Sequence, residues 1–133
     1  MEEGDTLVNA LIGGILTFVL AGFVPLAPVL GGGVAGYLEG GSRNDGLKVG
    51  AIAGFIAMIP FVLLVVFAGS ILGAIGIGMP MMGPEGALFG VGAGLGLLFI
   101  FIALVFGLLY IVGLSAVGGW LGNYVKYDTD VDL

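Results

Sequence analysis

The chain contains no cysteine and no histidine, and only three of its 133 residues are basic. The first two absences remove disulfides, thiolate zinc sites, imidazole ligands and Cys or His nucleophiles from consideration. The third disfavours nucleic-acid binding, because neutralising phosphates needs clustered Lys and Arg. Charge of either sign is scarce, at 9% of residues, where soluble domains carry about a quarter. No nucleophile stands beside a base and no two carboxylates share an apolar segment, so the sequence offers no catalytic, cofactor-binding or metal-binding residues and is not expected to be an enzyme.

Apolar residues (59%) and 28 glycines make up what remains. The glycines sit inside uncharged runs such as residues 7–24 and 86–110, which points to membrane helices packed backbone to backbone. The expected fold is therefore all-α: a single domain, residues 1–133, forming a polytopic membrane bundle of about four transmembrane helices with glycine-mediated packing. The amino end, Met-Glu-Glu-Gly-Asp, lacks the basic region of a secretory signal, so the first apolar run is read as a retained helix.

Expected helices are about 7–24, 28–41, 47–69 and 87–112, with a short helix about 113–125. Pro25 and Pro28 end or bend the first, because proline removes an amide donor and pushes its predecessor out of helical geometry. A hairpin is favoured there, although whether residues 26–38 cross fully stays open. Residues 39–48 form an aqueous loop with a turn at Asn44-Asp45-Gly46. Pro60 is tolerable within a membrane helix, with a kink expected near Met58. Residues 69–86 are too broken by Gly and Pro for a stable helix and are placed in the headgroup region. Residues 87–125 as one helix would measure about 58 Å, nearly twice the hydrocarbon thickness, so a break at Gly107 or Gly113 is expected.

Basic residues gather on the cytoplasmic side, which places loop 39–48 and the carboxyl end of a multi-pass cell-membrane protein in the cytoplasm. The same rule makes Arg43, Lys48 and Lys126, with Tyr37, Trp120 and Tyr124, the interface anchors. Three helices carry glycines one turn apart: Gly32, Gly36 and Gly40; Gly46, Gly50 and Gly54; Gly86, Gly90 and Gly94. Such faces, glycine zippers, pack helices closely. They serve a homo-oligomer on one reading and a single small bundle on the other, and the second is preferred. On this basis Gly50→Leu and Gly90→Leu are both expected to disrupt packing. The segment Gly33-Val34-Ala35-Gly36-Tyr37-Leu38 also resembles Ala116-Val117-Gly118-Gly119-Trp120-Leu121.

The run from Pro28 to Ala51 and the later run Gly113-Leu-Ser-Ala-Val-Gly-Gly-Trp-Leu-Gly-Asn-Tyr resemble a haloarchaeal family of small multi-pass membrane proteins classed as a domain of unknown function. The similarity covers nearly the whole chain and implies an architecture but no catalytic residues. Acidic termini and a net charge of -6 agree with a high-salt cytoplasm, where negative charge favours solubility. The expected role is structural or accessory, with the lipid bilayer, a second copy or another membrane protein as partner; the alternative is an oligomeric passive channel or small-solute permease. Glu39 is read as capping an exposed loop. Met79, Met81 and Met82 as Cu(I) ligands, and Gly90-Val-Gly92-Ala-Gly94 as a nucleotide-binding run, are both disfavoured for want of partner residues.

Overall fold

In a computed structural model describing residues 3–77 and 84–128, four α-helices follow one another, with no strand among the described residues. They are α1 (Glu3–Ala21), α2 (Ala27–Glu39), α3 (Arg43–Ile77) and α4 (Pro84–Asp128). Two of them, over Arg43–Ile71 and Gly90–Asp128, are long and apolar enough to cross a membrane. The chain divides into two units: Met1–Pro60 with Leu108–Leu133, and Phe61–Gly107.

Proline sets the first boundary as expected. Chain reversal after α1 is tight, with the Phe23 and Val24 N–H groups donating to the Leu20 carbonyl. Pro28 then stands in the first turn of α2, where its missing donor costs nothing. Residues 22–26 thus join two helices, not one bent helix. At 13 residues α2 is roughly 20 Å long, shorter than the roughly 30 Å of hydrocarbon.

The next boundary differs from expectation. The turn lies at Gly40 and Gly41, both near φ +70°, a conformation that glycine adopts without steric cost, while Asn44, Asp45 and Gly46 already belong to α3. Ser42 explains the shift. Its N–H and hydroxyl donate to Asp45 Oδ2 at 2.9 and 2.7 Å, forming a capping box that starts the helix four residues early.

Two further expectations are corrected. Residues 69–77 are helical, and α4 runs unbroken through Gly107 and Gly113. Neither residues 69–77 nor the stretch around Gly107 and Gly113 contains a proline, and isolated glycines weaken a helix without ending it. Residues 78–83, with Met79, Met81 and Met82, lie outside the described residues.

In the first unit the interior is made of small residues. Ala10, Ala35, Val49 and Ala53 form its core cluster with Ile56 against them, and Thr17 and Ser115 are buried beside them. Large side chains such as Leu11, Phe18, Phe23 and Phe55 are exposed instead. Backbones meet directly. A Cβ on Gly31 would overlap the Gly13 carbonyl of α1, and on Gly14 would come within 2.9 Å of the Ala53 carbonyl of α3. Helix α4 touches α2 in a parallel register: Gly32 and Gly36 face Ser115 and Gly119, while Val29 and Gly33 face Gly118 and Gly122. Antiparallel to α4, Gly46 and Gly50 meet Gly119, and Gly54 meets Val112. The two similar segments noted in the sequence are therefore the two sides of one helix contact.

The second unit is different. None of its described residues is buried, and a Cβ at Gly69, Gly90, Gly92, Gly94, Gly96 or Gly107 would meet nothing within 4 Å. Of Gly86, Gly90 and Gly94, all expected to pack, Gly90 and Gly94 therefore meet nothing among the described residues, and Gly86 is half-buried. Their run is apolar all round, so close packing needs a facing helix that the described residues do not supply there.

Substitution separates the two classes of glycine. Gly36→Ala and Gly119→Ala each place a methyl against a facing backbone and should cost about 1–3 kcal/mol, read as a lowered thermal midpoint in mild detergent. Gly90→Leu should leave that midpoint unchanged, and equal losses in all three variants would contradict the packing described.

Candidate functional site

The polar side chains of the first unit collect where α2 ends, α3 begins and α4 ends. Glu39, the last residue of α2, is buried and not on an exposed loop. Thr6 Oγ1 donates to its Oε1 at 2.6 Å and Asn9 Nδ2 to its Oε2 at 2.9 Å. Both donors lie on one face of α1 because they are three residues apart. Buried carboxyls are tolerated only where hydrogen-bonded, and these two bonds tie the start of α1 to the end of α2.

From the other side α4 holds the turn. The Asn123 amide, fully enclosed, donates to the Gly40 carbonyl at 2.8 Å, satisfying a group that α2 leaves unpaired at its end. The Gly41 N–H donates to the Tyr127 hydroxyl at 3.1 Å. Gly40 is therefore corrected from a helix-packing residue to the pivot of the turn: a Cβ there would approach the Tyr127 hydroxyl at 2.7 Å and Lys126 Nζ at 3.0 Å.

Around this polar knot lie five of the six expected anchors. The Arg43 guanidinium stands 5.7 Å from the Trp120 ring and 5.2 Å from the Tyr124 ring, and pairs with Asp128 at 2.6 Å. Trp120 and Tyr124 stack at 6.2 Å. The Lys126 ammonium lies 5.6 Å from the Tyr37 ring and 5.7 Å from the Tyr127 ring. Cation and ring attract through the ring quadrupole, by about 0.5–1 kcal/mol at exposed positions. Lys48 is exposed on α3 and joins none of these ring contacts.

Sequence reasoning missed Asn123 as a cap, Asp45 as half of a capping box and Glu39 as a buried acceptor. The Ser42-x-x-Asp45 spacing carried a readable signal for the second. Nothing local marks the other two, whose partners lie 83 and 30–33 residues away. At the centre of the packed glycines Ser115 is fully buried, with no partner for its hydroxyl among the described residues. Its small size accounts for its place there, since its own carbonyl lies against Gly32 and Gly50.

The Glu39 contacts make a measurable prediction. Glu39→Ala and Thr6→Ala should be non-additive in a double-mutant cycle of unfolding in detergent, with a coupling of about 1 kcal/mol; strict additivity would show that the bond contributes nothing.

No curated protein and no solved structure matches the chain. A family model does match, over residues 7–125. That stretch takes in all of the glycine contacts and most of the polar knot, and on it the chain belongs to the family of unknown function DUF5518.

Proposed function

We propose that this protein is an integral membrane protein of structural or accessory type, a four-helix bundle closed by glycine contacts and without catalysis of its own. The carrying observation is the inverted distribution of side-chain size in the first unit: Gly, Ala, Ser and Thr inside, Leu, Ile and Phe outside. In water, exposed apolar patches beyond a few hundred Å² are rare, and burial of large side chains drives folding. In lipid that force vanishes between helices, and close backbone approach replaces it. The two helices long enough to cross and the exposed Leu, Ile, Val and Phe side chains of residues 61–71 and 91–106 support the same medium.

On this reading α1 and α2 form a hairpin whose two open ends lie with the Arg43 turn and the carboxyl end of α4, on the cytoplasmic face. Partners are the bilayer and, through the open glycines of α4, a second copy or another membrane protein. The acidic balance suits the high-salt cytoplasm of a haloarchaeon. A passive pore has less in its favour, because the polar residues of the first unit are closed in by backbone contacts or engaged with one another.

The lack of native cysteine makes topology directly testable. Single-cysteine variants Asp5→Cys, Asn44→Cys and Phe23→Cys, probed with a membrane-impermeant maleimide on sealed vesicles, should label from one face for the first two and from the opposite face for the third. Labelling of Phe23→Cys from the same face as Asn44→Cys, or from neither face, would rule out four crossings. Release of the protein by an alkaline wash would rule out membrane embedding itself.

A further inference from the structure

All three basic residues of the chain lie at or near the polar end of the first unit: Arg43 at the start of α3, Lys48 in its second turn and Lys126 in the last turn of α4. The carboxylates beside them are engaged internally. Glu39 takes its hydrogen bonds from Thr6 and Asn9, Asp45 from Ser42, and Asp128 from a single Arg43 nitrogen. Asp5, on α1, makes neither hydrogen bond nor ion pair among the described residues. Arg43 and Lys48 are exposed and Lys126 is half-buried. Arg43 is 53% exposed, and with Trp120 and Tyr124 near its guanidinium and one nitrogen on Asp128, most of its five N–H donors remain available. Lys126 is held by two rings and has no carboxylate within ion-pair distance among the described residues.

A planar guanidinium and an ammonium held among interfacial aromatic rings suit one ligand chemistry, a phosphodiester anion at headgroup depth. We infer that this end of the protein is a headgroup site for an anionic phospholipid, with Arg43 and Lys126 contacting the phosphate and Trp120 and Tyr124 orienting Arg43. A zwitterionic headgroup fits less well, because its own cation meets the same two positive side chains. The inference rests on the membrane-embedded reading above and adds a partner to it.

Trp120 is the single tryptophan of the chain and sits inside the site, so its fluorescence reports local lipid directly. The full chain is reconstituted in vesicles containing either phosphatidylglycerol or phosphatidylcholine brominated near the headgroup end of the acyl chain. At equal mole fraction, the brominated phosphatidylglycerol should quench Trp120 at least about threefold more strongly, within the roughly fivefold enrichment that one basic residue beside an anionic surface supplies. The double variant Arg43→Gln/Lys126→Gln should bring the ratio near one while quenching by phosphatidylcholine persists, showing that the variant is still folded into the bilayer. Equal quenching of the native chain by both lipids overturns the headgroup site, as does selectivity that survives in the double variant. Quenching by neither lipid overturns it together with the membrane reading, and is thereby distinguished from failure of the site alone.

Discussion

Direct contact between backbones is the constraint on which the first unit depends. Where Gly32 and Gly36 lie against Ser115 and Gly119, and Gly46 and Gly50 against Gly119, no side chain intervenes and helices are as near as their own peptide groups allow. Dispersion attraction summed over such contacts is what holds apolar helices together when burial from water offers no gain. It also dictates composition, because a methyl at these positions meets a carbonyl that cannot move without moving its helix. Large residues are consequently displaced outward, and the interior is left to Ala10, Ala35, Val49 and Ala53.

Glycine contacts are smooth and nearly free of directional preference, so something else must fix where each helix ends. Hydrogen bonds at the polar end perform that task. Glu39 joins the beginning of α1 to the end of α2, Asn123 and Tyr127 of α4 hold the Gly40–Gly41 turn, and Ser42 with Asp45 opens α3. Each bond is modest alone, and between membrane helices such bonds average about 0.6 kcal/mol. Together they specify register where packing alone would allow sliding. The open glycines of residues 69–107 have no comparable polar neighbours: among their described residues Ser70 donates only to the Val66 carbonyl of its own helix.

Local features of the sequence were read well where their cause was local. Pro25 and Pro28 announced the α1–α2 boundary, and glycines four residues apart marked the faces of α2 and α3 that meet α4. The spacing could not say which faces are used. Gly90 and Gly94 carry the same spacing as Gly46, Gly50 and Gly54 and yet meet nothing among the described residues, because occupancy depends on a second helix that the pattern does not mention. Helix lengths failed for a related reason. A glycine lowers helix propensity by only about 1 kcal/mol and does not end a helix alone, and so residues 69–77 and the Gly107 region, read as breaks, are helical. Glu39 was misjudged because its donors, Thr6 and Asn9, belong to another helix.

The register between α2 and α4 has a bearing on how the chain is assembled. Gly32 and Gly36 leave the ribosome some 83 positions before the residues that fill their groove, Ser115 and Gly119, and Asn123 follows these to the Gly40 carbonyl. Until α4 is made, the seam on α2 lacks the backbone that it packs against. Contacts so distant along the chain are slow to form, so this seam is completed only after the later turns of α4 have been added.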